Sequence, residues 1–138
     1  MNLTIIGTGY VGLVTGACFA EFGYSVTCID KDNKRLELLK SGKCPFFEPG
    51  MDELLDKHVN KTKLISFAST IKNNLENTDI IFITVGTPTR RFEDEADLSF
   101  VWQVAEEIAE NINKYCLVVT KSTVPVGTTR EVKKIISN

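Results

Sequence analysis

The 138-residue sequence has no excess of charge of either sign: 16 Lys and Arg stand against 18 Asp and Glu, for a formal net charge of −2. That balance provides no broad attraction to nucleic acid or to an anionic membrane surface, and neither is expected as a partner. Histidine is nearly missing, with one residue, His58. Far from any partner group in sequence, on a helix beside Lys57, it reads as a surface residue rather than a catalytic one. The four cysteines, at 18, 28, 44 and 116, lie 10, 16 and 72 residues apart. Those gaps fit no zinc or Cys-x-x-Cys spacing, so no metal site is expected. Cys18, Cys28 and Cys116 sit in apolar runs and read as small buried hydrophobes, reduced in a cytoplasmic setting. Linkers, repeats and low-complexity tracts are also missing. With 43% hydrophobic and 25% charged residues, the chain is expected to fold as one domain, 1–138, around its own core.

From Leu3 to Ala20 the chain runs 18 residues without a charge, long enough to raise a membrane span or a signal peptide. Four glycines interrupt it, no Lys or Arg precedes it, and Gly7-Thr8-Gly9 would break a helix near its start. A strand, a tight turn and a buried helix account for it better.

The remaining pattern alternates. Strands are expected at Leu3–Ile6, Ser25–Ile29, Leu64–Phe67, Ile80–Val85 and Leu117–Thr120. Helices are expected over Tyr10–Phe22, from an Asp32 cap through Leu39, over Met51–Val59, from a Ser69 cap to Leu75, from an Asp97 cap to Ile112, and from Thr128. Gly23 and Gly42 fit the left-handed residue that ends a helix. Leu36, Leu38 and Leu39 form an apolar stripe, and Thr128 with Glu131 a capping box. Alternating elements argue for an α/β fold, a doubly wound parallel sheet covered on both faces. The expected strand order is 3-2-1-4-5.

Gly7-Thr8-Gly9-Tyr10-Val11-Gly12 is a GxGxxG that leaves the first strand and opens a helix, with Asp30 18 residues after Gly12 at the end of the second strand. In that setting Gly7 permits the tight turn, Gly9 lets backbone approach a pyrophosphate, and Gly12 lets helix and strand pack closely. The helix N-terminus then turns free N–H groups toward phosphate. Asp30 is placed to accept hydrogen bonds from an adenosine ribose and to repel a 2′-phosphate, which favours NAD over NADP. Lys31, Lys34 and Arg35 nearby weaken that preference, because a basic side chain can accommodate the extra phosphate. Two further strand ends, at Gly86-Thr87-Pro88 and Lys121–Gly127, flank the same turn and place Thr87 and Thr123 toward the nicotinamide half.

These residues together resemble the UDP-glucose/GDP-mannose dehydrogenase family, in its N-terminal NAD-binding domain. The stretches that carry the resemblance are GTGYVGLVTGACFAEFGYSVTCID (7–30), FFEPGMDELL (46–55), ITVGTPT (83–89), ADLSFV (96–101) and KSTVPVGTT (121–129). GTGYVGLVTG is most similar to the UDP-glucose branch, ahead of the GDP-mannose and UDP-N-acetyl sugar branches. The resemblance implies that Gly7, Gly9, Tyr10, Val11 and Gly12 line the pyrophosphate turn. It also implies that Asp30 and Arg35 serve the adenosine ribose, and that Thr87 and Thr123 contact NAD. The Glu48-Pro49-Gly50 segment matches too, with capping of the next helix as its role. Arg90 and Arg91 fall in a variable loop and read as solvated.

The family's reaction is a double oxidation of a sugar nucleotide's C6 alcohol to a carboxylate, two hydrides passing to two NAD through a Cys thioester. That Cys belongs to a glycine-rich loop that none of the four cysteines matches, so no catalytic residue is expected here. A sixth strand, a dimer helix and a sugar-nucleotide domain also have no counterpart. The sequence therefore reads as an N-terminal fragment of a homo-oligomeric UDP-glucose dehydrogenase, able to bind NAD and inactive alone. A stand-alone NAD-binding module is the competing reading.

Overall fold

The computed structural model describes residues 1–88 and 96–137. Arg90, Arg91 and Thr89 of the 83–89 stretch lie outside the described residues.

Five strands form one parallel sheet: β1 (Asn2–Ile6), β2 (Ser25–Ile29), β3 (Ile65–Ala68), β4 (Ile80–Ile83) and β5 (Leu117–Thr120). Their order is β3-β2-β1-β4-β5, as expected. The central strand β1 pairs with β2 through Leu3↔Val26 and Ile5↔Cys28, and with β4 through Ile5↔Phe82. The chain moves outward from β1 to β3, then crosses back to β4, so the carboxyl ends of β1 and β4 diverge beside one crevice. In a sheet of this kind that is where a ligand binds.

Alternation of side chains divides the core in two. On one face Leu3, Ile5, Val26, Cys28 and Ile65 pack under helix α1 (Tyr10–Glu21) and the short helix α3 (Met51–Leu55). On the other, Ile6, Ile29, Ile81 and Ile83 pack under α4 (Ser99–Asn111) and α5 (Thr128–Ser137). Helix α2 (Asn33–Lys40) seats Leu36 and Leu39, while Leu38 is 38% exposed and falls off the expected stripe.

Helix α1 can lie close to the sheet because its inner face is small: Gly12, Gly16, Ala17 and Ala20 are all buried there. A Cβ on Gly16 would come within 3.1 Å of the Cys28 sulfur. Cys18 is on the opposite face and exposed, and Cys116 is half-buried, so of the three cysteines expected inside only Cys28 is fully buried. At Cys18 the helical period, not the apolar neighbours in sequence, decides which side the thiol faces.

Helix ends follow their caps in part. The Asp32 carboxylate accepts the Arg35 amide at 3.1 Å, and Gly23 and Gly42 adopt φ of +90° and +80°. Asp97 accepts from the Ser99 amide at 3.0 Å. The Thr128–Glu131 capping box does not form. The Thr128 hydroxyl donates to the Pro125 carbonyl at 2.8 Å, and the Glu131 carboxylate turns to Lys134 at 2.7 Å.

The helix expected after Ser69 is also absent. Asn73 has φ +64°, the Thr70 hydroxyl accepts the Lys72 amide, and the Asn74 side chain donates to the Thr70 and Lys72 carbonyls. Side chains thus satisfy the backbone in place of helical bonds. Helix α3 stops at Leu55 and continues as a π-helical turn, Asp56–Lys61.

Candidate functional site

The site begins where β1 ends. Gly7 has φ +102°, and its amide donates to the Ile29 carbonyl at 2.8 Å, which turns the chain sharply over the end of β2. A side chain there would meet the Thr84 carbonyl at 2.8 Å. A Cβ on Gly12 would lie 1.9 Å from the Gly7 carbonyl oxygen, so the first turn of α1 rests directly on backbone. The Thr84 hydroxyl, 2.9 Å from the Ile6 carbonyl and 2.8 Å from that of Gly7, ties the turn to the end of β4. By contrast, a Cβ on Gly9 would meet nothing within 4 Å. Gly9 is also the N-cap of α1 and supplies no side-chain cap to the helix N-terminus.

Asp30 stands against the turn. One carboxylate oxygen, Oδ2, accepts the Thr8 amide at 2.8 Å and the Thr8 hydroxyl at 2.6 Å, and pairs with Arg35 Nη1 at 3.2 Å. Among the described residues the other, Oδ1, accepts the Asp32 amide alone, at 2.9 Å. A carboxylate oxygen can take two such bonds, so Oδ1 retains acceptor capacity. Burial pushes the Asp30 pKa up, but the Thr8 hydroxyl, the Asp32 and Thr8 amides and the Arg35 guanidinium outweigh it and hold the carboxyl below its ordinary value. Asp30 is therefore an anion anchored in place at neutral pH.

Beside the turn and Asp30 a cleft of about 430 Å³ opens, lined by Gly7, Gly9, Asp30 and Arg35 and walled by Ile71 and Phe100. Lys31 and Glu107 also line it, and their side chains meet at 2.8 Å. Such a cleft has the size and mixed apolar and polar character of a small-ligand site.

Of the other expected residues, Gly12, Thr87 and Thr123 do not line this cleft. Thr87 and Thr123 come together beyond the ends of β4 and β5, the Thr87 hydroxyl donating to the Thr123 carbonyl at 2.8 Å. The Ser122 hydroxyl reinforces the same junction at the Val85 carbonyl, 2.7 Å away. Tyr10 and Val11 are 56% and 47% exposed and do not line the cleft. The Tyr10 ring packs on Phe46 with centroids 5.0 Å apart, and its hydroxyl donates to Glu48. That contact anchors the loop that carries Glu48-Pro49-Gly50 onto the start of α1.

His58 is not a surface residue. It is 2% exposed, with Nε2 at 2.6 Å from Glu21 and Nδ1 at 3.0 Å from the Thr62 hydroxyl. It joins the end of α1 to the π-helical turn, outside the cleft.

The profile of the UDP-glucose/GDP-mannose dehydrogenase family, NAD binding domain, matches residues 1–138. The chain belongs to that family. It is similar to the UDP-glucose 6-dehydrogenase of Rhizobium meliloti (strain 1021), with 51% identity over 99% of this chain and 31% of that protein. Against UDP-glucose 6-dehydrogenase TuaD of Bacillus subtilis (strain 168), identity is 46% over 98% of this chain and 29% of that protein. Among solved structures, GDP-mannose dehydrogenase from Pseudomonas aeruginosa superposes with a TM-score of 0.93 at 33% identity, covering 99% of this chain and 32% of that one. This NAD-binding domain thus spans about three tenths of the length of the relatives it matches.

The geometry fits the dinucleotide that the family name implies. Space is open at Gly9, the helix N-terminus beside it has no side-chain cap, and Asp30 keeps acceptor capacity at the edge of the cleft. Sequence reasoning did not single out Thr8, Thr84, Ser122 or Glu107. The available signal for Thr8 was its hydroxyl between two glycines at the strand end. Glu107 carried none, since its partner lies 76 residues away.

Proposed function

We propose that this chain is the cofactor-binding part of a UDP-glucose 6-dehydrogenase whose full-length protein oxidises UDP-glucose to UDP-glucuronate with two NAD. The observation that carries the reading is the Asp30 carboxylate, anchored to Thr8 of the open glycine turn and lining one cleft with it. Identity of 51% to a UDP-glucose 6-dehydrogenase supports the choice of sugar nucleotide.

In this reading Gly7, Gly9 and Gly12 shape the pyrophosphate turn, and the backbone of Tyr10 and Val11 opens the helix whose dipole favours the phosphates. Asp30 Oδ1 accepts from the adenosine ribose while Arg35 holds Oδ2. The linked Thr87 and Thr123 border the nicotinamide half. When bound, NAD supplies the hydride acceptor for alcohol oxidation.

Burial disfavours the thiolate at three of the four cysteines. Burial pushes the Cys28 thiol up to about 12 and also raises Cys44 and Cys116. Cys18 is exposed on α1, away from the cleft. The thiolate chemistry therefore belongs to a part of the full-length enzyme outside this domain.

Calorimetric titration of the chain with NAD and NADP tests the reading. NAD should bind, more tightly than NADP, and addition of UDP-glucose should produce no NADH. A preference for NADP would overturn the role of Asp30, and turnover would overturn the placement of catalysis elsewhere. Titrating the full-length enzyme with UDP-glucose, GDP-mannose and UDP-N-acetyl sugars while following NADH identifies the substrate.

A further inference from the structure

Two cations line the adenosine side of the cleft, and each is already held by a carboxylate. Arg35 pairs with Asp30 at 3.2 Å, on the same strand-to-helix segment. Lys31 pairs with Glu107 at 2.8 Å, and this pair crosses the cleft from the end of β2 to helix α4. The side chains of Lys31 and Glu107 are 62% and 29% exposed, so the carboxylate is the better-enclosed partner and the lysine is the mobile one. A 2′-phosphate on the adenosine ribose would bring nearly two negative charges to this place. It would need a cation with no carboxylate on it, because Asp30 already repels it.

We propose that Glu107 is a cofactor-specificity residue that excludes NADP by holding Lys31. The sequence alone left Lys31, Lys34 and Arg35 as possible phosphate ligands; of these Lys31 and Arg35 line the cleft, and the Lys31–Glu107 pair removes the more exposed of the two from that role. Glu107 acts from the second half of the fold and touches none of the glycine turn, so it separates discrimination from pyrophosphate binding. This inference rests on the reading of the cleft as an NAD site.

Glu107→Gln keeps the size of the side chain and removes its charge, which frees Lys31. The test measures Kd for NAD and NADP by calorimetry for the unaltered chain, Glu107→Gln and Lys31→Gln/Glu107→Gln, with melting curves to establish that each is folded. The ratio Kd(NADP)/Kd(NAD) should fall roughly 1.5- to 5-fold in Glu107→Gln, the scale of an exposed charge pair. It should rise again in the double variant, and the gain should shrink as ionic strength increases. An equal change for both cofactors in Glu107→Gln would make the pair structural only and overturn the proposal. Persistence of the gain without Lys31 would overturn it too. If the unaltered chain binds neither cofactor, the NAD reading itself fails, and that outcome is distinct from the other two.

Discussion

Thr8 binds Asp30 twice, by its amide at 2.8 Å and its hydroxyl at 2.6 Å, both to Oδ2. The residues are 22 apart in sequence and belong to the loops after β1 and β2, so this double bond sets the glycine turn at a fixed distance from the acid. Thr8 is fully buried, and it serves as a positioning residue rather than a ligand contact. Thr8→Val preserves the shape and deletes one bond to a charged acceptor, a loss of about 1.5–3 kcal/mol of stability. Urea unfolding should show a lower midpoint with an unchanged slope. NAD affinity should fall with it, because Asp30 is freed to rotate; unchanged affinity would mean that Asp30 is oriented without Thr8.

Asp30 also predicts an acid response. Its folded-state pKa lies below the ordinary carboxylate value, so the anion contributes stability at pH values above the unfolded pKa of roughly 3.9. That contribution is lost as pH falls through the depressed folded-state pKa. Thr8→Val weakens the interaction that depresses the pKa most strongly. The stability gap between the two proteins should be widest near neutral pH and close under acid. A gap that stays constant as pH falls from neutral to below the folded-state pKa of Asp30 would assign the Thr8 effect to packing.

Gly9 and Gly12 share a motif but separate binding from folding. An added Cβ at Gly12 strikes the Gly7 carbonyl at 1.9 Å, and backbone cannot yield as a side-chain tip can. Gly12→Ala should destabilise by about 1–3 kcal/mol or more. Gly9 has φ −69° and ψ −171°, which alanine adopts without strain, and its Cβ would face empty space. Gly9→Ala should therefore melt as the unaltered chain does and bind NAD on the order of tenfold more weakly, since the methyl group occupies the approach to the pyrophosphate. Equal melting temperatures for the two variants would contradict the close packing at Gly12.

What was legible in the sequence follows the range of each interaction. Strand order, the glycine turn and Asp30 are written in alternation and spacing, and β2 and β5 have the bounds that their β-branched runs suggest. The caps at Asp32, Gly23 and Gly42 were legible because a cap acts within four residues. The Ser69 helix failed for a local reason of another kind: Thr70, Asn73 and Asn74 offered the backbone competing hydrogen bonds. In the site, Lys31–Glu107 and Thr8–Asp30 depend on the tertiary fold, and no spacing rule encodes them. His58 illustrates the same limit. Polar neighbours suggested a surface helix, but the π-helical turn rotates the side chain inward.

His58 accordingly carries a prediction about stability alone. Glu21 can only accept, so Nε2 carries the proton toward it, while Nδ1 stands 3.0 Å from the Thr62 hydroxyl. Lys57 and His58 together hold the Glu21 carboxyl below its ordinary value. His58→Ala removes a buried link between α1 and the π-helical turn and leaves a cavity, at a cost of about 1–3 kcal/mol. Denaturant unfolding should register that loss, while calorimetry finds NAD affinity close to that of the unaltered chain, because His58 does not line the cleft. A large loss of NAD binding in a variant that remains folded would instead place His58 within the cofactor site.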